Sequence, residues 1–158
     1  MKKNKDSKKT AKPTHADAEL LLKLYELRRD SELRRARQFM AFEYWPQNAD
    51  DIVAIINEFG TDRNRWYRQA MSYWDMAASM VVHGVLNREL FLDSAGELFF
   101  IFAKIAPHLK DVRERTGLPR SFWNFEQLIE SSPVAKERFA AIQKRVAMRA
   151  KQANAAKA

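Results

Sequence analysis

Between residues 65 and 85 the chain reads RWYRQAMSYWDMAASMVVHGV. Apolar side chains recur there at steps of three and four in two rows. One is Tyr67, Met71, Trp74, Ala78, Val81 and Val85; the other is Trp66, Ala70, Tyr73, Ala77 and Met80. That spacing stacks residues along one helical face. Arg65, Arg68, Gln69, Ser72, Asp75, Ser79 and His83 form a single narrow polar stripe. A helix with so little polar face must be covered on most sides by neighbours. The pattern predicts an all-α protein, an irregular bundle of about six to eight helices around a central apolar helix at 62–84.

The same periodicity organises the flanks. Thr14 or Asp17 caps a first helix whose inner face is Leu20, Leu24 and Leu27. Asp30-Ser31-Glu32 interrupts the apolar row, which resumes at Leu33, Ala36, Met40 and Tyr44. A nearly continuous element over 16–44 is expected, with two helices meeting at Asp30-Ser31 as the alternative. Pro46 ends it. Asn48 caps a helix from Ala49 to Phe59 with Ile52, Ile55, Ile56 and Phe59 inward, and Gly60 closes it. Thr61 caps the central helix. Asn87 or Asp93 opens the next segment, in which LFFIFAKI (98–105) is read as helix from the step Phe99, Phe102, Ile105. Pro107 kinks or restarts it, and Gly117 stops it. Phe122, Phe125, Leu128 and Ile129 mark a short helix. Ser132 and Pro133 begin a last one, burying Val134, Phe139, Ile142 and Val146 before the pattern decays.

Charge changes the picture more than composition does. The whole chain is +8, but residues 13–132 hold 15 basic and 18 acidic side chains. Residues 1–12 carry six Lys against Asp6, and residues 133–158 carry seven Lys or Arg against Glu137. The positive excess therefore lies at the two ends. Residues 1–13 are expected as a disordered Lys-rich tail, 14–150 as one helical domain and 151–158 as a frayed end. No Cys is present, which excludes disulfides, thiolate chemistry and Cys-based zinc sites. No apolar run approaches the roughly 18 residues that span a bilayer. The basic start lacks the apolar stretch of a signal peptide. No membrane association and a cytoplasmic location are expected.

Specific chemistry is sparse. There is no phosphate-binding glycine loop, nucleophile elbow or H-E-x-x-H motif, and no Glu-x-x-His pair of the di-iron bundles. No catalytic, cofactor-binding or metal-ligating residue is assigned, and no cofactor is expected. Asp75 stands out as an acid midway along the most apolar helix, where burial would demand a partner. With Ser79 and His83 on the same stripe, and Arg34 and Arg37 from the Arg-rich first element, it outlines a candidate polar site. The alternative is a structural ion pair between those elements. Glu97 and Arg113 raise the same question with a weaker case.

The stretches SYWDMAASMVVHGVLNRELFLDSAGELFFIFAKIAPHL, LYELRRDSELRRAR and FEQLIESSP resemble an uncharacterised bacterial all-helical family, a domain of unknown function. The resemblance runs from about Ala18 to Phe139 and is strongest at Tyr73 to Leu92. It implies one compact helical domain and a bacterial cytoplasm. Some relatives carry membrane-spanning segments, which this sequence lacks. No activity is implied. Function is therefore left as unknown, with a non-catalytic protein-interaction or scaffold domain, self-associating or with a protein partner, as the leading expectation. Weak, non-specific nucleic-acid binding through the basic ends is the second, and a small-ligand binder or enzyme using Asp75 and His83 the third.

Overall fold

The computed structural model describes residues 12–155, with side chains to residue 151. Its helices are α1 His15–Leu27, α2 Ser31–Gln38, α3 Ala49–Asn57, α4 Asp62–Val82, α5 Arg88–Ser94, α6 Gly96–Ile105, α7 Leu109–Thr116, α8 Trp123–Glu130 and α9 Pro133–Ala155. A π-helical turn, Phe39–Glu43, continues α2, and a 3-10 turn, Ala106–His108, joins α6 to α7 at Pro107. With α5 and α6 counted as one helix broken at Ala95, there are eight helices, and no strand occurs among the described residues. The all-helical bundle predicted from the pattern is the fold observed. The expected tail at 1–13 lies outside the described residues except for Lys12 and Pro13, and 156–158 also lie outside. The last helix runs to Ala155.

The central helix is enclosed as its periodicity requires. Tyr67, Ala70, Met71, Tyr73, Trp74, Ala77, Ala78 and Val81 are buried, while Arg65, Arg68, Ser72 and His83 face solvent. α2 and α8 pack along its two sides, α3 lies against α7, and α6 packs on α9. The second layer is aromatic: Phe102 stacks on Phe125 with centroids 5.0 Å apart, and Phe139 of α9 meets Phe102 at 5.6 Å and Phe99 at 6.0 Å. Each fully buried side chain of this size contributes about 1.5–3 kcal/mol, so the rings of α6 anchor both α8 and α9.

Local signals fix the boundaries. Thr14 and Asp17 form a capping box at α1. Asn48 accepts from the Asp51 amide at 3.0 Å, and Thr61 from the Asn64 amide at 3.1 Å. Gly117 takes a left-handed φ of 66°, the conformation that ends α7.

Four expectations need correction. The first element is not continuous: Asp30 turns out of the helix and accepts from the Leu33 amide at 2.9 Å, so it starts α2 instead of prolonging α1. Leu27, the last residue of α1, is consequently exposed. α3 ends at Asn57, two residues early, because Glu58 leaves the helical region, which swings Phe59 out to 72% exposure. Val85 lies beyond the end of α4 and is exposed. At the start of α9 it is Ala135, not Val134, that turns inward.

Candidate functional site

The most deeply buried charge in the bundle is Lys104, near the end of α6, at 4% exposure. Its ammonium donates to the carbonyls of Met40, Ala41 and Tyr44 at 2.6, 2.9 and 3.0 Å. Those three acceptors belong to the π-helical turn and its end, where carbonyls lack intrahelical partners. All three ammonium donors are thereby matched. The indole of Trp45 lies 3.8 Å from Nζ and the ring of Phe100 lies 4.8 Å away, both presenting the negative face that attracts a cation. Burial pushes the Lys104 pKa down to about 7, and the positive charge of Arg149 pushes it the same way. Lys104 thus ties α6 to the end of the α2 segment.

A second, partly buried ionic cluster lies two turns before, at Glu97. Arg37 grips its carboxylate with two bonds of 2.7 and 2.5 Å, Arg28 adds one of 3.0 Å, and the Trp74 indole donates at 3.3 Å. Arg28 also lies over the Trp74 ring at 5.1 Å. The Glu97 carboxylate holds the Arg37 guanidinium above its ordinary pKa. Beside it, Tyr73 donates to the Leu24 carbonyl at 2.8 Å, and burial raises its phenol to about 12. Glu97 therefore joins α1, α2, α4 and α6 at one point. Arg113 likewise reaches Glu126 at 2.5 Å and the Ser121 carbonyl at 2.8 Å, closing the α7–α8 connection.

The five residues of the candidate polar site are not brought together. Arg37 goes to Glu97 rather than Asp75. Arg34 is exposed and donates to the Arg29 carbonyl at 2.9 Å. Asp75 is half-buried against α8, where one carboxylate oxygen accepts from Asn124 at 3.0 Å and the other is buried without a hydrogen-bond partner. Ser79 is half-buried farther along α4, and His83 is the exposed residue that ends it. Lys104 escaped the sequence reading altogether. Its one signal is a lone Lys inside the apolar run LFFIFAKI.

Beside Lys104, the seam between α6 and α9 opens into a groove of about 620 Å³ lined by Gly96, Phe100, Ile142, Arg145, Met148 and Arg149. Among the described residues no group of three or more His, Asp or Glu is placed to hold a metal ion, and no helix is long and apolar enough to cross a membrane.

A family model, a domain of unknown function named DUF4760, matches residues 13–132. The chain belongs to the DUF4760 family. No curated protein and no solved structure matches it significantly. The DUF4760 match ends before α9, yet α9 completes the core through Ala135, Phe139 and Val146. It also coincides with the stretch that carries 15 basic and 18 acidic residues, so the positive excess of the whole chain lies outside the matched region. On α9, Lys136 is paired with Glu130 and Arg138 donates to the Leu92 carbonyl. Lys144, Arg145, Arg149 and Lys151 are exposed and pair with no described residue.

Proposed function

We propose that this chain is a non-catalytic helical interaction module of the cytoplasm, whose binding surface for acidic partners is the outward ridge of α9. The observation that carries this reading is the two-sided character of α9. One side is cemented into the aromatic core by Phe139, Lys144 and Lys151 lie on the far side, and Arg145 and Arg149 lie on the flank toward α6, all four without counter-charges among the described residues. The deep ionic groups support it as well. Glu97 and Lys104 are saturated by internal partners, as expected of groups that fix packing. The ridge, held on a rigid helix, is the positive surface that attracts and orients a negative partner.

The test is binding of the full chain to poly-L-glutamate and to a 20-base-pair DNA duplex across a salt series. Acidic polypeptide binding that persists near physiological salt supports the module. Preference for DNA with affinity falling steeply in salt supports the second reading, nucleic-acid association through the same ridge, because that slope counts the phosphates neutralised. Binding of neither refutes both. Sedimentation velocity on the same samples tests self-association.

A further inference from the structure

We infer that the groove between α6 and α9 binds a single-chain amphiphilic anion, its carboxylate on Arg145 and Arg149 and its alkyl chain over Phe100, Ile142 and the bare backbone of Gly96. The volume of about 620 Å³ falls within the range of small-molecule sites. A side chain built on Gly96 would meet no atom within 4 Å, so the floor at that end is open space. Arg145 and Arg149 stand one turn apart on the same face of α9, and both are unpaired among the described residues. The planar guanidinium fork matches a carboxylate in charge and geometry.

The charge of Lys104 stands behind the floor, 4.8 Å from the Phe100 ring, and Arg149 acts on it unfavourably. Positive charge is thus concentrated at this spot, and an anion seated on Arg149 relieves it. Met148, exposed at the rim, offers the deformable apolar surface that moulds to a flexible chain. On α9 itself, Ile142 precedes Arg145 by three residues, so apolar floor and head-group contact there stand within one helical turn, about 5.4 Å. The site shares Arg145 and Arg149 with the proposed ridge. It also requires Gly96 and Phe100 of α6, and it stands whether or not a macromolecule binds the ridge.

Calorimetric titration of the full chain with decanoate below its micelle concentration tests the assignment. Saturable binding at one site is expected. R145Q/R149Q weakens it at least roughly tenfold. G96L, which fills the floor, weakens it comparably and leaves poly-L-glutamate binding unchanged. M148E, at a position that is exposed in the fold, abolishes it and serves where G96L fails to fold. Heat that never saturates, unaltered affinity in M148E or R145Q/R149Q, equal affinity for decanol, or equal affinity for inorganic phosphate overturns the proposal.

Discussion

Replacing Lys104 by Met probes the strongest buried interaction. The side chain is nearly isosteric, so packing against Trp45 and Phe100 is kept while the charge and three donors vanish. The carbonyls of Met40, Ala41 and Tyr44 then lose their partner. Buried acceptors left unsatisfied cost about 1–3 kcal/mol each, so the loss is about 3–9 kcal/mol. Against this, the variant no longer desolvates an ammonium. A fall in pKa from 10.5 to about 7 corresponds to roughly 5 kcal/mol of penalty on the charged form, at about 1.4 kcal/mol per unit.

The two terms nearly offset at pH 7 and below, where K104M is expected to lose at most about 4 kcal/mol. They separate as pH rises. The folded-state pKa lies below the unfolded one, so between pH 7 and 10.5 the unfolded chain binds more protons. Raising pH therefore stabilises the native protein by up to about 1.4 kcal/mol per pH unit. The variant lacks this term. Urea unfolding of both proteins at pH 6, 7, 8, 9 and 10 should show a stability gap that is flat below 7 and widens above it. A gap that stays constant from pH 7 to 10 would mean that the carbonyls and the Trp45 ring hold the ammonium charged, and would refute the reasoning.

Other substitutions separate packing from function. E97Q should destabilise by about 2–3 kcal/mol in urea unfolding, below the usual 3–5 for a broken buried pair because the cluster is partly wet. R28Q leaves the two Arg37 bonds in place and should cost only about 1 kcal/mol in the same assay. F139A should cost about 3–5 kcal/mol in thermal or urea unfolding and should loosen α9, seen as faster hydrogen exchange there. D75N keeps the shape at Asn124 and should change stability by less than about 1 kcal/mol; a thermal shift with any ligand that D75N abolishes would instead restore Asp75 as a binding residue.

What was legible in the chain was local. Asn48, Thr61 and Asn87 are read as caps because a short polar side chain before an apolar row can satisfy only nearby amides, and each does so. The two apolar rows of α4 predict its enclosure because so narrow a polar stripe leaves no other arrangement. The break at Asp30 shows in the sequence as a phase shift, which a bend in one long helix accounts for as readily as two separate helices do. Phe59, Val85 and Val134 failed at helix ends, where a one- or two-residue change in boundary rotates a side chain from core to solvent. The ionic clusters were hidden for a different reason. Glu97 meets Arg37 and Arg28 across 60 and 69 residues, and Lys104 meets Met40 across 64. Periodicity carries no information at that range, so it groups Arg37 with Asp75 and gives no sign of Glu97. The groove is also a pairing of distant segments, with Gly96 and Phe100 on one side and Arg145 and Arg149 on the other.

The central claim is that α9 serves the core with one side and a partner with the other. The quadruple charge reversal K144E/R145E/R149E/K151E tests it most directly, measured for both melting temperature and poly-L-glutamate binding in the full chain with its N-terminal lysines intact. A melting temperature within about 2 °C of the native protein, together with loss of binding, is the expected result. Retained binding would move the surface elsewhere, and a collapse in stability would show that the ridge belongs to the fold.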